Sequence, residues 1–310
     1  MVEGVGIITV PNPSMQRTTL PVRLLRQRLL SLLDALPAAA SGDVTSVHRA
    51  RVASRRLREV LPVLAEAADS DALDRAGKQV RRITQALGPI RELDVALGHL
   101  EEMGPRAGIS ENAVAAVRAH LQDERQIHRQ AMHHVITPAV VARLKSQLHD
   151  PPSPRHPVAH HDAELRSVRR RSAQRALRLS AEVRRTGALY DSERLHAVRV
   201  ATKKLRYALE VERELMKSRA MVRINRLKDI QDALGQIHDY EILLARIREV
   251  QTTVAVSNRP LSAELGMLVR TLEEACRDGH ASFLHGRDAL LDLCNAIITA
   301  ARNQRPTFRM

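Results

Sequence analysis

Aromatic side chains are almost missing from this sequence. Phe, Tyr and Trp together make 2% of its 310 residues, and Trp is absent. Proteins that hold single-stranded nucleic acid without sequence preference stack bases on aromatic platforms, so that class is disfavoured. Duplex binding through phosphates survives the shortage. Cysteine is nearly as scarce. Cys276 and Cys294 are the only two and no CxxC spacing occurs, so a redox pair and a cysteine-built zinc site both lack support. No run of about 18 uncharged apolar residues exists, so no membrane-spanning helix is expected. The apolar stretch at residues 5–10 follows Glu3 and has no basic flank, which makes a poor signal peptide and points to the cytoplasm. P-loop, G-x-S-x-G and H-E-x-x-H patterns are all absent. The expectation is a protein without a catalytic site and without a cofactor.

Basic charge is what the sequence has in excess. Lys and Arg number 49 against 35 Asp and Glu, a net charge of +14. The partner implied is anionic: nucleic acid, lipid headgroup, phosphate polymer or acidic protein. Hydrophobic residues make 44% of the chain and are mostly Leu, Ala, Val and Ile. Ala, Leu and Arg favour helix, and no stretch beyond the N-terminal run alternates like a strand. The fold class expected is all-α, long enough for two sizeable halves.

Periodicity and breakers divide the chain. Residues 1–15 read as an extended lead-in. A first half, 16–150, contains helices at 20–36 (broken by Pro37 with Ser41 and Gly42), 47–64, 72–87, 90–103 (after an interruption at Gly88-Pro89), and one long helix over 110–148 disturbed at Pro138. Pro151, Pro152, Pro154 and Pro157 mark a linker over 151–160. The second half, 161–310, contains helices at 162–185, 195–212, 221–234, 237–251 (after Gly235) and 261–302.

The 47–64 segment organises the rest. At about 100° per residue its His48, Arg51, Arg55 and Arg58 share one narrow face. Leu57, Val60, Leu61 and Leu64 take the opposite face. Some 148 residues later the pattern recurs: His196, Arg199, Lys203, Lys204 and Arg206 stand over His48, Arg51, Arg55, Arg56 and Arg58. A second block recurs in the same order. Ala86-Leu87-Gly88 stands over Ala233-Leu234-Gly235, Glu92 over Asp239, Asp94 over Glu241, Arg81 over Lys228, and Arg91 over His238. The glycines suit helix ends. The acids that follow suit either the N-terminus of a next helix or the orientation of the basic side chains.

With both blocks duplicated in order, the sequence resembles the CHAD family, the conserved histidine α-helical domains, over nearly everything after residue 16. The marks are H-x-x-R-V-x-x-[RK]-[RK]-L-R at His48 and His196, and L-G-x-x-x-[DE]-x-[DE] at Leu87 and Leu234. The resemblance implies two pseudo-symmetric helical bundles around a basic central groove that binds inorganic polyphosphate. It also implies association with polyphosphate granules. Carried over by position, the ligand-facing set is His48, Arg51, Arg55, Arg58, His196, Arg199, Lys203 and Arg206, with Arg56 and Lys204 in the same motif. Arg81, Arg91, Lys228 and His238 extend it. The second half departs at His238, where the first has Arg91, and at Tyr240-Glu241, where the first has Leu93-Asp94. The E-x-E-x-K strand signature of a triphosphate-processing domain is absent, and Glu210, Glu212 and Glu214 fall in a helical pattern. The chain reads as the binding module alone.

Three rivals compete. A histidine phosphotransfer protein would also expose His48 or His196 on a helical bundle. A nucleic-acid binder is supported by charge alone and shows no recognised motif. The histidines from His120 to His161 suggest zinc only weakly, because their spacing is irregular and no cysteine helps.

Overall fold

The computed structural model describes residues 20–68, 70–103, 110–149, 157–216 and 220–302. Among these residues there are ten α-helices and no strand, as the all-α reading requires. They are α1 (Leu20–Ala40), α2 (Val44–Ala68), α3 (Asp71–Met103), α4 (Glu111–Val135), α5 (Pro138–His149), α6 (Pro157–Arg185), α7 (Ser192–Met216), α8 (Met221–Val254), α9 (Arg259–His285) and α10 (Arg287–Arg302). Helix α1 packs on α2, α2 on α3 and α3 on α4; α6 packs on α7, α7 on α8 and α8 on α9. Helix α5 returns to α1, and α10 returns to α6. Between the halves α3 meets α8, and α2 meets α7.

Side-chain caps set several helix starts. The N–H groups of Ser46, Ala113, Arg194 and Leu261 donate to Asp43, Ser110, Asp191 and Asn258 at 2.7–3.2 Å. Each cap satisfies a donor that the first turn leaves free. Helix α1 ends at Gly42, whose φ of +92° is left-handed. Arg125 of α4 donates to the Gly42 carbonyl at 2.7 Å, pinning this turn.

Three breaks expected from proline and glycine are absent, at Pro37, at Gly88-Pro89 and at Gly235, while those at Ser41-Gly42, Pro138, Gly187 and Asn258 are present. Pro37, Pro62 and Pro89 lie inside α1, α2 and α3. Helix α3 runs unbroken through Gly88-Pro89, and α8 through Gly235. An interior proline costs about 3 kcal/mol against alanine. Burial offsets it: Ile83, Leu87, Ile90 and Leu93 flank Pro89 at 0–2% exposure, each worth about 1.5–3 kcal/mol. Two expected long helices are pairs instead. Residues 110–148 divide into α4 and α5, where Pro138 opens α5 and Thr137 Oγ1 accepts from the Val140 N–H at 3.3 Å. Residues 261–302 divide at Gly286. The lead-in and residues 151–156 of the proline stretch lie outside the described residues, while 157–160 form the first turn of α6.

Three hydrophobic cores hold the helices. One joins α1, α2 and α3 through Leu25, Leu32, Leu57, Leu61 and Ile83. Another joins α6, α7, α8 and α10 through Leu179, Val198, Leu205, Ile237 and Ile297. A third belongs to both halves: Leu93, Leu100 and Leu121 of α3 and α4 pack with Leu243, Ile247 and Leu268 of α8 and α9. The first core also takes in Val211 and Leu215 of α7, so shared apolar packing joins the halves and sets α2 against α7.

Candidate functional site

Helix α2 sends Arg51 to α3. Its Nη2 stands 3.1 Å from Glu92 Oε1, and its Nη1 donates to the Thr84 carbonyl at 3.5 Å. A Cβ on Gly88 would lie 2.8 Å from Arg51 Nη1, closer than real side chains approach. Gly88 is thus a passage for the guanidinium and not a helix stop. In the second half Arg199 Nη2 stands 3.8 Å from Asp239 Oδ1. Nothing lies within 4 Å of a Cβ on Gly235. The acids after each glycine now divide by role. Glu92 and Asp239 orient aligned arginines, and neither serves a helix start, because α3 and α8 do not restart there. Asp94 accepts from Arg125 of α4 at 2.6 Å. Glu241 accepts from the Tyr190 hydroxyl at 2.5 Å.

Basic side chains of the two halves meet between α2 and α7. Arg51, Arg55, Arg199 and Lys203 all feel one another's charge. Burial first, then Arg199, Arg55 and Arg51, push the Lys203 ammonium down to about 6; Asp239 opposes the shift. Burial, then Arg55, brings Arg51 down to about 10. Among the described residues neither Arg55 nor Lys203 has a hydrogen bond or a carboxylate at ion-pair distance. His48 extends the field toward Arg91 of α3; burial, then Arg91, lower its pKa. Arg58 extends it toward Arg81, and burial, then Arg81, lower its pKa. His196 is lowered by burial and then by His238 of α8. The two Nδ1 atoms stand 3.3 Å apart, room for one shared proton.

Four residues of the expected set point elsewhere. Arg56 Nε and Arg206 Nη1 turn to Glu210, at 3.2 and 2.6 Å, and Arg206 Nε donates to Gln231 at 2.9 Å. Together with Arg28, His48 and Lys228 they line a cleft of about 980 Å³ between α1, α2, α7 and α8. Lys204 faces Arg175, Arg178 and Glu59 on the opposite flank. The expected single face is therefore a central cluster with two flanking clefts.

A family model of the CHAD domain matches residues 23–248. The chain belongs to the CHAD domain family. The match spans both copies of the basic helix. Among solved structures, the CHAD domain from the plant Ricinus communis is similar, with a TM-score of 0.55 over 85% of this chain and 92% of that one at 20% identity. PptA from Streptomyces chartreusis is similar too, with a TM-score of 0.57 over 92% and 98% at 16% identity. These likenesses concern the fold. No curated protein matches this CHAD chain.

Several residues that hold the CHAD site in place escaped the sequence reading. Arg28 is 6% exposed; it donates to the Arg56 carbonyl at 2.8 Å and reaches Glu214 at 3.4 Å. Glu59 of α2 stands 3.7 Å from Arg175 of α6, while Glu210 of α7 serves Arg56 of α2. Each half thus sends a nearly buried carboxylate to a basic residue of the other. One sequence signal was readable: Arg28 sits in the apolar stripe of α1, among Leu24, Leu25, Leu29 and Leu32. Of the scattered histidines, His120 stands 3.1 Å from Glu249 and His128 3.5 Å from Glu124. His133 and His134 are exposed on the last turn of α4. His156 and the side chains of His160 and His161 lie outside the described residues. Cys276 and Cys294 are free, buried thiols on α9 and α10. Among the described residues no helix is long and apolar enough to cross a membrane.

Proposed function

We propose that this CHAD domain binds inorganic polyphosphate along the line of cations where its two halves meet, as a binding module rather than an enzyme. One observation carries the reading: Arg51 and Arg55 from one half converge with Arg199 and Lys203 from the other, and among the described residues two of the four have no carboxylate at ion-pair distance. Crowding like charges under partial burial disfavours the charged forms. A polymer of closely spaced oxyanions relieves that repulsion. Arginine offers it bidentate forks, and lysine a point charge. Each charge-assisted contact is worth about 1.5–3 kcal/mol before desolvation and screening. Polyphosphate has no bases to stack, which suits a chain with 2% aromatics. His48 and Arg91 continue the line at one end, Arg58 and Arg81 at the other. His196 and His238 line the second half. Arg56, Lys204, Arg206 and Lys228 lie off that line, in the flanking clefts. Such a module suits attachment to polyphosphate granules.

The deciding experiment is a paired charge reversal, Arg55→Glu with Lys203→Glu, followed by long-chain polyphosphate binding and circular dichroism. Binding should be lost while helix content is kept; unchanged binding in a folded double variant refutes the proposal. Two further arms address the rivals. Duplex DNA at equal phosphate concentration should fail to displace polyphosphate. Incubation with a phosphodonor should leave the intact mass unchanged, without phosphohistidine at His48 or His196.

A further inference from the structure

The cleft of about 980 Å³ differs from its counterpart in the second half. The repeat builds both. His48, Arg49, Val52, Ala53 and Arg56 line the first, and the aligned His196, Ala197, Val200, Ala201 and Lys204 line the second. The second holds about 280 Å³ and is lined by α6 and α7 alone. That is just under the size of ordinary ligand sites, about 300–1,000 Å³. The first is larger because α1 and α2 of one half meet α7 and α8 of the other. Residues 27–34, 48–56, 206–214 and 221–228 supply its walls, about two turns from each helix.

Its charges are mixed. Arg28, Arg49, Arg56, Arg206, Arg213 and Lys228 line it, against Asp34, Glu210 and Glu214. Both oxygens of the buried Glu210 are spent, on Arg206 Nη1 at 2.6 Å and on Arg56 Nε at 3.2 Å. The pairing holds both guanidinium groups in place and leaves each with N–H donors to spare. Arg213 Nη1 has only the Met221 sulfur, at 2.9 Å, and Nη2 stands 3.9 Å from Glu214. Among the described residues Lys228 has no hydrogen bond and no carboxylate at ion-pair distance. The buried Arg28 stands 3.4 Å from both oxygens of Glu214, and Arg49 donates to Asp34 at 2.7 Å. Both carboxylates keep lone pairs for further donors. Leu30 of α1 and Met221 of α8 add exposed apolar surface.

We propose that this cleft is a second binding site, for a nucleoside polyphosphate. The phosphates lie on Arg56, Arg206, Arg213 and Lys228, the ribose hydroxyls donate to Glu214 or Asp34, and the base rests against Leu30 and Met221. A bare phosphate polymer has no hydroxyl to offer those carboxylates and no apolar face for the two side chains, and the acids repel it. A ligand with phosphates, hydroxyls and a ring uses all three kinds of wall. Arginine forks and a lysine point charge suit its phosphate chain. The twin cleft lacks the room, so one molecule binds per chain. The inference goes beyond polyphosphate binding and does not depend on it, because Arg213, Leu30 and Met221 lie off the central line of cations.

The test titrates ATP into the full chain by calorimetry, beside inorganic tripolyphosphate and ribose 5-phosphate. ATP should bind with a stoichiometry of one. In the Arg55→Glu, Lys203→Glu chain, which keeps the cleft, ATP should still bind, roughly tenfold more tightly than tripolyphosphate. Arg213→Glu and Leu30→Asp change exposed or half-exposed side chains. Each should weaken ATP by on the order of tenfold and leave long-chain polyphosphate binding at the parent level. ATP binding no tighter than that of tripolyphosphate in the doubly reversed chain overturns the proposal. So does ATP binding that Arg213→Glu and Leu30→Asp leave unchanged, or that Arg55→Glu with Lys203→Glu abolishes in a folded chain, since it then belongs to the central line. Equal affinity for ribose 5-phosphate overturns the role given to the base and the phosphate chain. Polyphosphate binding by the same preparation separates the failures. Polyphosphate binding without ATP binding sinks only the cleft site, and ATP binding without polyphosphate binding upholds the cleft and sinks the central line.

Discussion

Alanine at Gly88 and at Gly235 should have different consequences, although the two glycines occupy aligned places in unbroken helices. In a helix interior each change gains about 1 kcal/mol. The new methyl at Gly235 meets nothing within 4 Å, so Gly235→Ala should keep the gain and raise Tm by about 2–4 °C. At Gly88 the new Cβ would lie 2.8 Å from Arg51 Nη1. Contact carbon separations are about 3.5–4.0 Å, so the guanidinium has to swing away. It then loses its 3.1 Å pairing with Glu92 and its 3.5 Å contact with the Thr84 carbonyl. Arg51 is 14% exposed and Glu92 38%. With that exposure the pair is worth about 1 kcal/mol, less than a buried one. Gain and loss nearly cancel, so Gly88→Ala should melt close to the parent and below Gly235→Ala. The displaced Arg51 also leaves the central cluster. Polyphosphate affinity should fall by roughly three- to tenfold, the loss of one partly screened contact, while Gly235→Ala binds normally. Thermal unfolding by circular dichroism and titration calorimetry read both effects. Equal Tm gains with full affinity in both variants would refute the passage role of Gly88.

Other outcomes follow from the same geometry. Lys203 has a lower pKa folded than unfolded, so the unfolded chain binds its proton more readily, and the residue destabilises the fold increasingly as pH falls from about 10.4 toward 6. Lys203→Met should therefore raise Tm at pH 7, with the benefit shrinking toward pH 10; a lower Tm at pH 7 contradicts this. The pKa values of His48 and His196 are lowered as well, chiefly by burial. Their contribution to stability is present above the unfolded value, near 6.5, and is lost as pH falls through the folded one. Bound polyphosphate favours their charged forms, so affinity should tighten between about pH 7 and 5.5; a flat affinity profile removes both from the charge argument. Glu210→Gln strands Arg56 and Arg206 beside a nearly buried position. Urea unfolding should show a loss of about 3 kcal/mol with polyphosphate binding largely retained. A loss of binding without a loss of stability would place those arginines in the site.

Local rules carried well where the deciding physics was local. Residues three and four apart share a helix face, so the shared face of His48, Arg51, Arg55 and Arg58 was readable from spacing alone. The same rule brought out the second copy at His196. Local rules failed at Pro37, Pro89, Gly88 and Gly235, all of which lie within helices. A breaker's penalty is local, but the burial that outweighs it comes from neighbouring helices. Residues 261–302 failed the other way, because one apolar period cannot distinguish a continuous helix from two joined by a tight turn, whereas in 110–148 the disturbance expected at Pro138 is the start of a second helix.

The sequence by itself determined the helical class, the doubled basic motif and the excess of basic charge. These depend on composition and on a rotation of about 100° per residue. Only the tertiary structure decided which cations are free. Arg51 finds its acid 41 residues away, and Arg56 finds its acid 154 residues away. Among the described residues Arg55 and Lys203 find none, and they meet because α2 packs against α7 across an apolar core that holds residues of both. Charge pairing depends on distance in space, and helical periodicity carries no information about residues so far apart in the chain.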